Sequence, residues 1–359
     1  MSYRRSCIYE TKHFSNQGYG KINYVMRKII SNWIHIPGLH CGSVALRDVI
    51  TYYGYQLSEA MCFGLGSGLG FFYTQYEDMS PTRAIHLRGP GMEPNFFSLI
   101  DKPTNWKLES DGEAAAEILR DYINEGIPLL IQTDIFHLGY YKSSTHFPGH
   151  VVCVWGYDDE SEKIFLSDTG FEGLQSVSYE GLQNARCSKA KPYPLNNNWF
   201  EVYLENPLPD LSEIVPIAIY NNAKSMLEGK GSPRGISGIE KIRSWAEELE
   251  YWGDAQDWQW SSRFAYQVIE KRGTGGGGFR WIYRDFLIEA EEIMPNLKAF
   301  GLPDKMDLLG RKWSDISQLL KQISECEKDR ELFRLASNKA HEIAHQEEEF
   351  YTGVLGKLG

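Results

Sequence analysis

Cys41, His150 and Asp168 are the residues whose types and order could carry out covalent catalysis. A thiolate can attack an acyl carbonyl, an imidazole can take up and return the protons, and a carboxylate can hold the imidazole in one tautomer. Each residue also has an ordinary structural interpretation. A single cysteine is usually a small buried hydrophobe, a histidine that opens a strand is usually structural, and an aspartate that ends one usually forms a turn.

The element predicted after Cys41 would activate this thiol. Residues 43–53 read as a helix, because apolar side chains recur at helical spacing and Gly54 ends the pattern. A thiol at a helix N-terminus feels unpaired N–H groups and the positive end of the helix dipole, which favour the thiolate. The same N–H groups can stabilise an oxyanion on an attacked carbonyl.

His150 and Asp168 belong to a predicted β-hairpin. Residues 150–157 and 163–167 are apolar or β-branched runs that the polar turn 158–160 joins. If the two strands pair, Asp168 and His150 lie at the same end of the hairpin, where the carboxylate can orient the imidazole. A cysteine that precedes the histidine, with an acid after both, is the order of papain-like enzymes.

Several segments resemble the N-terminal domain of the butirosin biosynthesis protein H family: Leu39-His40-Cys41-Gly42-Ser43, the glycine-rich stretch 63–71, Asp134 through Tyr141, and Gly149-His150-Val151-Val152. The resemblance covers roughly residues 30–205. It implies a papain-like acyltransferase that takes an aminoacyl group from the phosphopantetheine thioester of an acyl carrier protein and gives it to an aminoglycoside amine. Cys41 would be the nucleophile, His150 the base and Asp168 the orienting acid. Papain-like enzymes often place a glutamine about six residues before the cysteine, and here His35 is the oxyanion candidate at that offset.

The predicted fold class is α+β, a papain-like cysteine-protease-type domain followed by an all-helical domain. The character of the chain changes near Pro207-Leu208-Pro209, so we expect the catalytic domain to span 1–206 and the helical domain 207–359. Helices are predicted over 211–228, 236–252, 261–272, 279–294, 304–324 and 329–355. This second part resembles the domain that commonly follows the first in the family, and it would complete or cover the cleft.

Further polar residues lie where a substrate could bind. Asp134, Tyr140 and Tyr141 follow the buried strand 129–133 and could line the acceptor side of the cleft, or serve a turn and the core. Basic residues flank the glycine run 273–278: Lys271, Arg272, Arg280 and Arg284. They indicate either a solvated charged surface or a docking patch for an acidic carrier protein.

Metal chemistry is the sharpest competing interpretation. Residues 341–345 match the HExxH pattern of zinc peptidases. No third ligand stands at a suitable distance, since Glu349 lies eight residues after His341, about 12 Å along a helix. The glycines of 64–70 lack the Lys-Ser/Thr of a phosphate-binding loop. The sequence therefore predicts no metal and no cofactor.

Composition limits the partners. The net charge of −11 argues against nucleic acid and suits a cationic acceptor such as a polyamine. Neither a signal peptide after Arg4 and Arg5 nor a membrane-spanning run is apparent, and the six scattered cysteines indicate reduced thiols and a cytoplasmic protein. A homo-oligomer is left open.

Three functions remain from the sequence. The first is acyl transfer from a carrier thioester to an amine in secondary metabolite (antibiotic) biosynthesis. The second is a cysteine peptidase or amidase that uses the same three residues with water as the acceptor. The third is a non-catalytic binding protein in which Cys41 is structural.

Overall fold

A computed structural model describes residues 26–204, 207–229 and 237–359. Cys7, the basic residues Arg4 and Arg5, and the predicted domain limit at 206 lie outside the described residues. Within the described part, the strands are β1 Arg27–Ile29, β2 Leu69–Gln75, β3 Arg83–Arg88, β4 Leu129–Asp134, β5 Pro148–Asp158, β6 Lys163–Ser167, β7 Gln175–Ser178 and β8 Trp199–Glu201. The α-helices are α1 Cys41–Tyr52, α2 Glu59–Leu65, α3 Met92–Leu99, α4 Gly112–Asn124, α5 Tyr179–Arg186, α6 Leu211–Glu228, α7 Ile239–Leu249, α8 Trp258–Glu270, α9 Arg280–Ile293, α10 Leu302–Glu325 and α11 Arg330–Leu358.

One antiparallel sheet supports the first half of the chain. Its strand order is β7-β6-β5-β4-β8, and β1 pairs with the far end of β5. The strands β2 and β3 form a separate antiparallel hairpin. Sheet and helices together confirm the predicted α+β class.

The long strand β5 is buried on both faces. Successive side chains of a strand point to opposite sides, so Val151 and Cys153 join the core that contains α1, whereas Val152 and Val154 join the core under α4 and α5. The Cys153 thiol donates to the carbonyl of Ala45 at 3.4 Å, which shows how closely α1 lies against the strand. A helix that begins with Cys41 is therefore clamped against the strand that begins near His150.

The register of the sheet brings the catalytic candidates to one edge. Thr133 at the end of β4 pairs with His150, and Cys153 of β5 pairs with Ser167, the last residue of β6. Asp168 follows directly, so it lies at the same end of the β5–β6 hairpin as His150. The predicted hairpin is confirmed.

The helices α6, α7, α8 and α9 pack on the β2–β3 hairpin or on α2, and α10 and α11 pack on those helices. The predicted helix 211–228 coincides with α6, and the other predicted helices agree with α7–α11 within three residues at each end, although residue 236 of the prediction 236–252 lies outside the described residues. A single hydrophobic cluster continues from α1 and α2 through these helices as far as Val354. The helical part is thus built onto the region that holds Cys41. A division into two domains near 206 stays a prediction.

Candidate active site

Cys41 is the first residue of α1, two residues earlier than the predicted start. His40 is its N-cap, with extended backbone (φ −113°, ψ 128°), and its Nδ1 accepts the N–H of Ser43 at 3.2 Å. Burial, and then the charges of Arg88 and His150, hold the pKa of His40 well below its usual value. The ring is therefore neutral and can accept this bond, which lets the helix begin at Cys41.

The turn before the nucleophile is fixed by a carboxylate from α2. Glu59 accepts the backbone N–H of Leu39 at 3.0 Å and of His40 at 2.7 Å, and also the Ser43 hydroxyl at 3.1 Å. These bonds satisfy amides that would otherwise lie unpaired ahead of the helix. The turn 39–43 is therefore rigid, and the direction of the Cys41 side chain is set by the fold.

Cys41 is partly exposed as a residue, and its thiol is hydrogen-bonded to His150. Burial by itself would raise the pKa of the thiol. The hydrogen bond and charge of His150 oppose that effect, and Arg88 and the backbone N–H of Val151 add to them, so the pKa of Cys41 is lowered. A thiol in this setting is a better nucleophile near neutral pH than an ordinary cysteine.

His150 is buried and bound to Asp168, whose Oδ1 lies 2.8 Å from His150 Nε2. Burial disfavours the imidazolium, but the negative charge and hydrogen bond of Asp168, and the bond to Cys41, raise the pKa of His150. Because Nε2 faces Asp168, Nδ1 is the ring nitrogen left for the thiol. The structure thus brings together the three residues that the sequence singled out, in the sequence Cys41–His150–Asp168.

Tyr140 and Tyr141 direct their hydroxyls to Asp168. Tyr140 donates to Asp168 Oδ2 at 2.7 Å, and Tyr141 donates to Oδ1 at 3.1 Å and lies 3.2 Å from His150 Nε2. Burial would raise the pKa of Asp168, but His150 first and then these hydroxyls lower it. In this geometry the two tyrosines hold the carboxylate in position, and a substrate-binding role for them stays a prediction.

Asp134 also has internal partners. Its side chain is fully buried and accepts the N–H groups of Phe136 and Phe147 at 3.2 and 2.9 Å and the Ser188 hydroxyl at 2.7 Å. It lies 2.6 Å from His146 Nδ1. These bonds fix the loop between β4 and β5, and a carboxylate so occupied does not line the acceptor side of a cleft.

His35 has no ring N–H to offer to an oxyanion. Its Nδ1 lies 2.5 Å from Asp48 Oδ2 and its Nε2 lies 3.0 Å from the Phe171 carbonyl. Burial opposes the charged ring, but Asp48 and the carbonyl raise the pKa of His35, so both nitrogens act as donors. The oxyanion candidate chosen by its offset from Cys41 is corrected, because that offset places it in a structural ion pair.

Arg88 is a site residue that sequence reasoning missed. It ends β3, its Nη1 lies 3.5 Å from Glu93 Oε1, and both atoms are buried without a hydrogen-bond partner among the described residues. A Cβ built on Gly42 would lie 2.4 Å from the same Glu93 oxygen, which puts the pair directly beside the nucleophile. The strand β3 was not recognised in the sequence, so no spacing signal pointed to Arg88.

Tyr140→Phe is expected to lower the free energy of unfolding by an amount that depends on pH. The change removes one hydrogen bond to an ionised carboxylate, which typically contributes about 1.5–3 kcal/mol. Because the folded-state pKa of Asp168 is lowered, this contribution is present above the unfolded-state pKa and is lost as pH falls through the folded value. Urea denaturation should therefore give the variant a lower free energy of unfolding than the unmodified protein at pH 7, and this difference should disappear in acid.

Tyr52→Phe is the matched control, since the Tyr52 hydroxyl donates to the neutral carbonyl of Gly126 at 2.8 Å. Its cost should be about 0.5–1.5 kcal/mol and independent of pH in this range. If Tyr140→Phe lowered the free energy of unfolding by the same amount at neutral and acidic pH, the result would contradict a role for Tyr140 in holding the ionised Asp168 carboxylate.

The HExxH residues lie on α11 with their histidines exposed. His345 Nε2 lies 3.4 Å from Glu349, its neighbour one turn later, and both side chains are about two-thirds exposed. Glu342 pairs with Lys312 of α10. These contacts are those of a solvated helix face, whereas Ile343, Ala344 and Phe350 pack inward.

The chain is similar to known families in two ranges. Residues 40–169 match the family model described as butirosin biosynthesis protein H, N-terminal. Residues 180–354 match a domain of unknown function, DUF4872. No curated protein matches the chain. Cys41, His150 and Asp168 all fall within the first range.

In the described ranges, none of the helices combines the length and apolarity that crossing a bilayer requires.

Proposed function

We propose that the protein is a cysteine acyltransferase of antibiotic biosynthesis, since residues 40–169 match the family model of butirosin biosynthesis protein H, N-terminal. It moves an acyl or aminoacyl group from an acyl carrier protein thioester to an amine. The observation that carries the proposal is that Cys41, a partly exposed residue at the start of a helix, lies beside His150, whose hydrogen bond and charge lower the pKa of the thiol against the effect of burial.

In the first half-reaction the Cys41 thiolate attacks the carbonyl of the thioester. The tetrahedral intermediate collapses, the phosphopantetheine sulfur leaves, and the His150 imidazolium gives it a proton. The products are an acyl-enzyme on Cys41 and a free carrier thiol. Asp168 keeps the imidazole oriented throughout, and the Tyr140 hydroxyl in turn holds the Asp168 carboxylate.

In the second half-reaction a neutral amine attacks the acyl-enzyme. His150, now without its proton, accepts one from the attacking nitrogen, and the Cys41 thiolate leaves as the amide forms. The thiolate and imidazolium are then restored, so the protons balance over one turnover. The acidic balance of the chain, −11, favours the approach of a cationic acceptor.

The oxyanion needs donors that are not already engaged. Glu59 binds the amides of Leu39 and His40, and the His40 ring binds that of Ser43. We assign the oxyanion to the amide of Cys41 at the helix start, with the positive charge of Arg88 nearby as a second stabilising influence.

The helical part supports this turn and is proposed to complete the cleft. A Cβ added to Gly273 would lie 3.1 Å from the Leu39 carbonyl, and one added to Gly275 would lie 2.6 Å from the Leu39 side chain. Phe279, at the end of the same glycine run, packs edge-on against His40 with ring centroids 5.4 Å apart. This close packing can help to exclude water, which a transferase must do to protect its acyl-enzyme.

The proposal is tested by following the mass of the intact protein. Incubation with a carrier protein loaded with an aminoacyl thioester should add one acyl group to Cys41. The adduct should persist without an acceptor and clear rapidly when an aminoglycoside or polyamine is added, because the bound amine competes effectively with water.

Cys41→Ala should form no adduct, whereas Cys187→Ala, which removes another partly exposed thiol, should behave as the unmodified protein. Failure to acylate with any carrier thioester would refute the proposal. Rapid clearance whatever amine is supplied, or ready cleavage of peptide amides, would instead identify a hydrolase.

A further inference from the structure

We propose that Asp134, His137 and His146 form a binding site for a divalent transition metal, with Zn²⁺ as the ion their chemistry suits best. One carboxylate oxygen and one nitrogen from each imidazole all lie within 4.8 Å of one another. Two imidazoles and a carboxylate are a donor set that zinc takes readily, with a fourth position left for water. The site is separate from Cys41 and His150, and from α11, which carries the HExxH residues.

The three residues come from the two ends of one loop. Asp134 is the last residue of β4, His137 ends the short 3-10 turn Ile135–His137 that follows, and His146 lies two residues before β5. Asp134 also pairs with Pro148 in the sheet. The rigid end of β4 therefore places all three side chains on the same side of the loop, where an ion could cross-link it.

The buried carboxylate is already oriented as a ligand. Asp134 Oδ1 accepts two backbone N–H groups, from Phe136 and Phe147, and Oδ2 accepts the Ser188 hydroxyl at 2.7 Å. Outer hydrogen bonds of this kind hold a metal-binding carboxylate in place. Oδ2 is also the oxygen that lies 2.6 Å from His146 Nδ1.

Metal entry requires modest movements of both histidines, because the three ligand atoms lie within 4.8 Å of one another. Two ligands of a tetrahedral zinc, each at about 2.0 Å, lie about 3.3 Å apart, so Asp134 Oδ2 and His146 Nδ1 must separate from 2.6 Å by well under an ångström. The ion takes the position of the shared proton. The His146 side chain is 45% exposed and stacks on Phe136 with ring centroids 4.1 Å apart, so it can shift while its plane stays supported.

A metal here would act on the loop that carries Tyr140 and Tyr141. Their hydroxyls hold Asp168, and residues 140–141 lie between His137 and His146. Closing the loop with an ion would restrict the position of both tyrosines. The expected role of the metal is therefore to stiffen this support, and none of the acyl-transfer steps depends on it.

Zinc binding can be measured without any assay of activity. The full chain in a Cys41→Ser background, which removes the reactive thiol as a competing ligand, is stripped with chelator and titrated with Zn²⁺ by calorimetry. We expect one ion per chain, a rise in melting temperature on zinc addition, and a visible d–d spectrum with Co²⁺ in place of zinc.

His146→Gln and His137→Gln should each weaken zinc binding at least about tenfold. Both side chains lie outside the core, so the variants should fold, and circular dichroism checks this. His345→Gln, in the exposed HExxH segment, is the matched control and should change nothing. Absence of stoichiometric binding in the parent, or a loss caused by His345→Gln and not by His146→Gln, would overturn the proposal.

Discussion

Iodoacetamide is expected to modify Cys41 ahead of the other described cysteines at mildly acidic pH. The reaction consumes thiolate, and the pKa of Cys41 is lowered mainly by the hydrogen bond and charge of His150 acting against burial. An ordinary thiol has a pKa of about 8.5, so its labelling falls about tenfold for each pH unit below that value. Labelling of Cys41 should persist to lower pH, as peptide mass spectrometry can follow.

His150→Ala should abolish the preference. Without the imidazolium, burial dominates and should raise the pKa of Cys41, so the labelling rate near neutral pH should fall by at least about tenfold. Cys187 and Cys326 are partly exposed and provide internal references. Cys62 and Cys153 are buried with raised pKa values and should remain unlabelled in the folded protein.

Equal labelling of Cys41 and Cys187 across the pH range would contradict the activated thiol. So would an unchanged Cys41 rate in His150→Ala. Either result would favour the non-catalytic interpretation, in which Cys41 is one more small buried side chain.

The arrangement of Cys41, His150 and Asp168 could be anticipated because local patterns control it. Helical spacing after Cys41 and two short apolar runs around a polar turn predict a helix start and a hairpin end. The structure places the three side chains together through those elements. The helices after residue 210 were likewise predictable from their amphipathic repeats.

The supporting residues could not be anticipated because they act through loops and long-range contacts. Tyr140 and Tyr141 lie in the loop between β4 and β5, where no periodicity tells which way a hydroxyl points. His35 satisfied an offset rule, yet its partner Asp48 lies on α1 and its carbonyl partner is 136 residues away. An offset in sequence does not specify such a position.

The metal-binding patterns show the same limit. The HExxH residues form a recognisable motif on α11 but face solvent. The cluster of Asp134, His137 and His146 has no familiar spacing and depends on how one loop folds back. The motif is apparent from the sequence alone, whereas the loop cluster is apparent only from the proximity of its three side chains in space.

One of the basic residues around the glycine run was also misjudged. Arg280 is fully buried and Arg284 pairs with Asp285 and Asp307, so a charged surface patch that includes Arg280 is wrong. Arg280 instead forms two hydrogen bonds with the buried carboxylate of Glu347, at 2.7 and 2.9 Å. The partners are 67 residues apart, which no local pattern could reveal.

Glu347→Ala is expected to lower the free energy of unfolding by about 3–5 kcal/mol, because it leaves the Arg280 guanidinium buried without a counter-charge. The carboxylate also accepts the Trp313 Nε1–H at 2.6 Å, so the change removes a third buried hydrogen bond. Urea denaturation provides the measurement. Glu348→Ala is the matched control on the next residue, since its partner Arg243 is roughly two-fifths exposed and such pairs contribute about 0–1 kcal/mol.

The double variant Arg280→Met/Glu347→Leu should be more stable than Glu347→Ala, because no unpaired charge remains in the core. If Glu347→Ala cost no more than Glu348→Ala, the buried pair would not contribute as described.

Glu347→Ala should also disturb the position of Cys41 under conditions in which the protein is still folded. Arg280 Nη1 donates to the Gly278 carbonyl at 2.7 Å, and Phe279, the next residue, packs against the His40 ring that caps α1. Loosening Arg280 therefore loosens the turn that positions Cys41. Glu347→Ala should reduce the preferential alkylation of Cys41 at denaturant concentrations where far-ultraviolet circular dichroism is still native. Glu348→Ala should not. Loss of both signals together would mean that the ion pair supports only the fold as a whole, with no separate influence on the turn at Cys41.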